Sequence, residues 1–181
     1  MTYYERHLPH WHPAGKDVFV TWRLYGSLPA SAKILASRDK PLSAGERFRA
    51  WDRALDRGSL GPLWLKESRI AECLLAALQR RQEQELFRLH AYVVMANHVH
   101  VLLAPLRSLA EITHLVKGAT ARQANKILGR TRVPFWQDES FDHWIRSAAE
   151  WNRIRDYIER NPVLAGLVRN PKDWPWSSAS K

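Results

Sequence analysis

Apolar and polar positions change period several times along this chain, and each change marks an expected element. Over residues 16–25 they alternate, with Val18, Val20, Trp22 and Leu24 on one side, which predicts a strand. The preceding fifteen residues are polar, aromatic and Pro-containing and suggest only an irregular lead-in. Scattered Gly and Pro make residues 26–62 irregular, with short helices expected over 30–36 and 44–53. Apolar residues Ile70, Leu74, Leu75 and Leu78 recur at helical spacing and predict a helix over 67–84. Residues 86–95 and 98–103 then form an expected hairpin across a tight connection at Ala96-Asn97. Ser108, with Glu111 three residues on, signals a capped helix to about residue 128, its apolar side being Ile112, Leu115, Val116, Ala119 and Ile127. A short strand is expected within 133–146. A last helix follows over 148–160, stopped by Asn161-Pro162. The order β-α-β-β-α-β plus a helix predicts an α+β fold, a ferredoxin-like split βαβ antiparallel sheet with helices on one face and a C-terminal helix bearing Tyr157. Such a pattern carries no function by itself.

Composition narrows the class. The 181 residues suit one domain with no interdomain linker, and no apolar run approaches the roughly 18 residues of a membrane span. The N-terminal stretch lacks the apolar core of a secretory signal. Cys73, the sole cysteine, excludes an internal disulfide and a Cys-rich zinc site; its neighbours read as the buried face of a helix, and a reducing cytoplasm is the simplest setting. Charge adds more: 28 Lys+Arg against 18 Asp+Glu give +10, which points to a polyanionic partner, nucleic acid above all. Nine tryptophans would suit stacking on unpaired bases, though tryptophans more often fill cores.

Two short patterns carry candidate chemistry. In His98-Val99-His100, residues two apart on a strand face the same way, about 6.6 to 6.8 Å apart, so two imidazoles can converge on one cation while Val99 and Val101 turn to the core. Chance alternation on a solvated face gives the same pattern. On the last helix Tyr157 and Asn161 are four apart and stack one turn above each other. Pro162 should end the helix and leave the Asn161 side chain free as an oxygen ligand. Alone, Tyr157 also fits a half-buried structural residue.

Taken together, the His-hydrophobe-His strand, the Tyr-x-x-x-Asn-Pro-Val helix end, their order and the basic charge resemble the REP-associated tyrosine transposases of the single-tyrosine HUH superfamily. The resemblance runs through LPHWHPAGKDVFVTWRLYGSLP, YVVMANHVHVLLAP, FWQDESFDHWIR, RDYIERNPVLAGLV and DWPWSS. It implies that His98, His100 and Asn161 bind Mg²⁺ or Mn²⁺. It also implies that Tyr157 attacks single-stranded or hairpin DNA, giving a 5′-phosphotyrosine and a free 3′-hydroxyl before strand transfer. The partner is then DNA of REP-hairpin type and no membrane, the protein a monomer or homodimer, and the location the nucleoid. Residues 37–66 exceed the shortest relatives and read as an insertion. Arg122, Lys126 and Arg130 recur every four residues on one stripe and are candidates for phosphate contact, while Arg6, His7 and Trp11 in the aromatic, His-rich N-terminal stretch are candidates for reading unpaired bases. Carboxylates are scarce near the motifs: Asp156 and Glu159 point away from the Tyr157/Asn161 edge. Two other readings stay open, a domesticated DNA-binding protein of the same fold without cleavage, and a hydrolase in which water attacks.

Overall fold

The computed structural model describes residues 2–5, 9–12, 15–28, 43–57 and 61–180. Strands β1 (Thr2–Glu5) and β2 (Pro9–His12) pair antiparallel in a two-stranded ribbon, where only an irregular lead-in was expected. The main sheet contains β3 (Val18–Arg23), β4 (Phe87–Val94), β5 (His98–Pro105) and β6 (Phe141–Trp144). Its spatial order is β4-β5-β3-β6, all antiparallel. Counting from β3, that is the ferredoxin-like order expected from the sequence. A bulge at the Leu89/Ala91 step lets β4 keep register with β5.

Alternation along the central strands divides them between two cores. Val18, Val20, Trp22 and Leu24 of the β3 strand and its extension join Val99, Val101 and Leu103 of β5 in a cluster with Ile70, Leu74 and Leu78. Those last residues lie on α2 (Ser68–Glu83), and Leu109, Ile112 and Val116 reach the same cluster from α3 (Leu109–Ile127). Cys73, expected in this core, is only half-buried, because it stands on the flank of the stripe made by Ile70, Leu74 and Leu78. On the other face Phe19, Ala91, Val93 and Leu102 pack with Ile158, Trp151 and Tyr157. These come from α4 (Ala148–Leu164), which covers that face. Helices therefore lie on both faces: α2 and α3 on one, and on the other α4 with α1 (Ala44–Asp56), where only the C-terminal helix was expected.

The two helices on the second face have well-defined ends. Ser43 caps α1, accepting from the Glu46 amide at 3.3 Å while the Glu46 carboxylate accepts from the Ser43 amide at 2.9 Å, a reciprocal capping box. The expected helix over 44–53 thus gains nearly a turn, which includes Leu55 and Asp56. Helix α4 passes through Pro162 instead of stopping at Asn161. Proline removes one helical bond, but the next turn forms regardless, with the Ala165 amide donating to the Asn161 carbonyl at 2.9 Å. The actual stop is Gly166 at φ +71°, with Leu167 N–H donating to the Pro162 carbonyl and Gly166 N–H to that of Val163, a Schellman ending. Asn161 is therefore fixed inside the helix and not at its free end. Beyond it, Trp174 Nε1 donates to the Val94 carbonyl at 2.9 Å and Val94 N–H to that of Trp176 at 2.9 Å, so the C-terminal tryptophans pack on β4. The expected helix over 30–36 lies outside the described residues. Among those described, no helix is long and apolar enough to cross a membrane.

Candidate functional site

The β5 register puts His98 and His100 on the α4 side of the sheet, and both are fully buried. Their ring centroids lie 4.7 Å apart. Each Nδ1 is engaged from within the sheet. His98 Nδ1 lies 2.7 Å from Asn97 Oδ1, and His100 Nδ1 lies 2.7 Å from Thr21 Oγ1 on the neighbouring strand. An amide oxygen only accepts, so His98 carries its proton on Nδ1 and keeps a lone pair on Nε2. Asn97 also donates through Nδ2 to the Leu55 carbonyl at 3.0 Å, tying the β4–β5 turn to α1.

Helix α1 brings two carboxylates that no motif announced. Asp52 Oδ1 is 3.2 Å from His100 Nε2 and 3.7 Å from His98 Nε2, and Asp56 Oδ1 is 3.8 Å from His98 Nε2. Ligand atoms of Asp52, His98 and His100 all lie within 4.8 Å of one another, a spacing compatible with one metal ion. Both carboxylates fall in the segment read as an insertion, whereas the sequence reading found carboxylates scarce. A signal existed in the spacing Phe48, Asp52, Leu55, which places an acid at the edge of a helical apolar stripe. The two nearby acids of α4 stay apart from the cluster, as expected: Asp156 pairs with Arg155 at 2.8 Å, and Glu159 accepts from Ser178 Oγ at 3.1 Å.

Burial and mutual charge set the protonation of the group. Burial opposes ionisation of Asp52, but the His100 ring, then the His98 ring and the Asn161 amide, outweigh it and hold the carboxyl below its usual range. Asp56 is pushed up to about 7, first by burial and then by the charge of Asp52. His98 is pushed down to about 3, mainly by burial and then by His100, against the pull of Asp52. The imidazole is therefore neutral, the form a metal requires.

Asn161 comes from α4. Its Nδ2 lies 3.4 Å from His100 Nε2, and the side chain is fully buried. Within this cluster Asn161 Oδ1, Asp52 Oδ1, Asp56 Oδ1 and His98 Nε2 are buried without a hydrogen-bond partner among the described residues. Each such atom costs on the order of 1–3 kcal/mol. A divalent cation satisfies all three kinds of donor, and imidazole with carboxylate and amide oxygens suits ions such as Mn²⁺ and Mg²⁺. The residues present fit such an ion.

Tyr157, one turn before Asn161, is half-buried with its ring centroid 5.7 Å from that of His100. Phe19 and Phe48 meet it edge-on at 6.3 and 6.5 Å, and Phe48 stacks on Phe141 at 4.3 Å. Residues from β3, α1, β5, β6 and α4 thus hold the phenol beside the histidine pair. The remaining sequence candidates stand elsewhere. Arg122 and Lys126 are exposed on α3, across the sheet from the histidines. Arg130 is not on an open stripe with them: it lies 3.9 Å over the Trp64 ring and donates to the Pro134 carbonyl at 3.1 Å. Trp11 falls in β2, opposite Tyr3, and Arg6 and His7 lie outside the described residues.

Comparison with known proteins places this arrangement. The chain is 27% identical over 92 residues to the REP-associated tyrosine transposase of Escherichia coli (strain K12), covering 51% of this chain and 54% of the relative. A Haemophilus influenzae relative with the same family designation is 30% identical over 114 residues, covering 57% of this chain and 65% of its own length. The matched segments thus span between half and two thirds of these relatives. In overall structure the chain is similar to a REP-associated tyrosine transposase solved bound to a REP hairpin. The TM-score is 0.61 at 20% identity, covering 98% of this chain and 82% of the other, a likeness of fold. The resemblance read from the sequence is thereby borne out. The family profile described as "Transposase IS200 like" matches residues 64–161, which take in the histidine pair, Tyr157 and Asn161 but leave α1 outside. With more than half of its length matched, the chain belongs to the IS200-like transposase family.

Proposed function

We propose that the protein is a metal-dependent transposase that cuts and rejoins single-stranded DNA at REP-like hairpins, with Tyr157 as nucleophile. The observation that carries this reading is the packing of the Tyr157 ring against His100, in one chain, beside a buried cluster of Asp52, His98, His100 and Asn161. His98, His100 and Asn161 hold the ion in this reading, and Asp52 joins them as a ligand beyond the expected set. Bound there, Mg²⁺ or Mn²⁺ supplies a Lewis acid that neutralises charge on the phosphate oxygens.

The protein groups do the rest. The phenylalanines around Tyr157 hold its ring and exclude water from one side of the phenol. A bond forms between the tyrosine oxygen and the phosphorus as the bond to the 3′-oxygen breaks; the phenol gives up its proton and the leaving oxygen takes one up, ending as a 3′-hydroxyl. The new linkage is still a phosphodiester, so a 3′-hydroxyl from another strand reverses the step without an energy source. Water is not the attacking group, so the site has no need of a strong water-activating base. The protein acts on DNA in the nucleoid, as a monomer or homodimer.

Incubation with labelled hairpin DNA and Mg²⁺ or Mn²⁺, followed by a denaturing gel, tests the reading. A covalent protein–DNA band that disappears in Tyr157→Phe supports it. Cleaved product without an adduct makes the protein a hydrolase, and binding without cleavage makes it a DNA-binding protein that has kept the fold.

A further inference from the structure

We propose that one edge of α1 is a phosphate ladder, formed by Arg49, Arg53 and Arg57, that holds the single strand as it enters the site. The inference rests on the reading of the site as DNA-processing. In a helix each residue turns about 100°, so with Asp52 as origin Asp56 lies at about 40°, Arg49 at about 60°, Arg53 at about 100° and Arg57 at about 140°. The arginines form a stripe that borders the carboxylate face on the Asp56 side. That is also the side on which the cluster opens: the Asp52 side chain is 4% exposed and that of Asp56 17%. On the opposite flank Phe48 and Leu55 close the helix against the protein.

All three arginines are exposed, and among the described residues none forms a salt bridge. Glu46 shares their side of the helix and feels the charge of Arg49, while its carboxylate is hydrogen-bonded by the Ser43 amide and hydroxyl at 2.9 and 2.7 Å. Rungs four residues apart rise about 6 Å each. Their guanidinium forks suit successive phosphates of one strand. A physical need for them exists, because two carboxylates at the site repel the phosphate that must approach it. The helix is tied to the β4–β5 turn by the Asn97–Leu55 bond and to His100 by Asp52 at 3.2 Å, so the ladder has a fixed position relative to the histidines. The α3 arginine and lysine do not offer this, since Arg122 and Lys126 stand on the far side of the sheet.

The experiment measures binding of fluorescein-labelled oligo(dT) by anisotropy, in EDTA, across a series of KCl concentrations. Single-stranded binding weakens with salt at a slope of roughly 0.7 per phosphate neutralised. R49Q/R53Q/R57Q should lower the slope by about 2 and the affinity at least tenfold. The corresponding triple lysine variant should keep most of the slope, and R122Q/K126Q should leave it nearer wild type. Arg53→Gln alone, with a loss of about 0.7 in slope, serves if the triple variant does not fold. A glutamine variant that folds and keeps the wild-type slope overturns the ladder. If that variant still binds as wild type while wild type makes the hairpin adduct, only the ladder falls. If wild type itself binds no single-stranded DNA, the ladder falls together with the proposed function.

Discussion

The two faces of the central sheet are built from the same strands yet obey different rules. Along β5, Val99, Val101 and Leu103 point to α2 and α3, while His98 and His100, one residue out of phase, point to α1 and α4. Both sets are buried to a similar degree, with Val99, Val101, His98 and His100 at 0% exposure. On the first face burial is the favourable term, since apolar area leaves water at about 25 cal/mol per Å². On the second, which buries Phe19, Val93, Leu102 and Ile158 as well, burial opposes the polar groups at its centre: it pushes Asp56 up, pushes His98 down and leaves four polar atoms without hydrogen-bond partners. A sheet with an apolar face against two helices can carry on the other a polar arrangement that is costly unless a cation satisfies it.

The largest expected effect tests the first face. Leu74→Ala opens a cavity between α2 and the sheet and should lower unfolding free energy by about 2–5 kcal/mol, measured by denaturant titration. Mn²⁺ affinity, measured by calorimetry under conditions where the variant is folded, should stay within about twofold of wild type, because the lost contacts are across the sheet. A large fall in metal affinity would mean that the two faces are not independent.

The next effect is a pH dependence on the second face, in the metal-free protein. His98 titrates near 6.5 when unfolded and near 3 when folded, so its contribution is present above 6.5 and is lost as pH falls towards 3. Asp56 does the reverse. Its folded pKa is raised from 3.8 to about 7, so its stability is full below 3.8 and is lost as pH rises through about 7. Between those limits the two slopes oppose each other. Asp56→Asn removes one of them, and its stability relative to wild type should climb with pH by up to about 1.4 kcal/mol per unit between pH 3.8 and about 7. Thermal melts in EDTA across that range check it. A difference that does not change with pH would show that Asp56 is ionised throughout.

Sequence reading succeeded where periodicity and proximity along the chain coincide. The individual strands, the two central helices, the shared face of His98 and His100 and the one-turn spacing of Tyr157 and Asn161 all depend on residues within a turn or a pleat of each other, and the order of those elements along the chain points to the strand order. What it missed depends on residues far apart. Asp52 meets His98 where Asn97 ties α1 to the β4–β5 turn and Phe48 packs α1 on Phe19 and Phe141, and nothing local to either segment encodes those contacts. The α4 ending was misread for another reason. Pro162 is the stronger local signal for a stop, but a helix already packed on the sheet tolerates one missing bond, and the Gly166 Schellman ending prevails. Arg130 looked like one of a trio by spacing, yet a tryptophan within reach of its guanidinium decides its place.

A smaller effect should come from Asn97, which supports the cluster without joining it. Asn97→Ala removes the acceptor that fixes His98 Nδ1–H and the side-chain donor to the Leu55 carbonyl. Groups that orient metal-binding histidines in this way typically contribute 10- to 100-fold in affinity. The variant should therefore bind Mn²⁺ roughly 10- to 100-fold more weakly, with the number of sites unchanged. Unaltered affinity would mean that the strand alone orients His98.

The smallest effect concerns the end of α4. Gly166 takes φ +71°, a left-handed conformation that costs an alanine about 1 kcal/mol. No heavy atom outside its chain neighbours lies within 4 Å of an added Cβ, so Gly166→Ala meets no clash and the backbone term stands alone. Stability should fall by about 1 kcal/mol. Covalent adduct formation by Tyr157 should persist, because Asn161 is already fixed one turn earlier by the Ala165 amide bond and by its burial against His100. Loss of the adduct from so small a change would place the working register of Tyr157 in the Schellman ending and not in the packing of α4 on the histidine face.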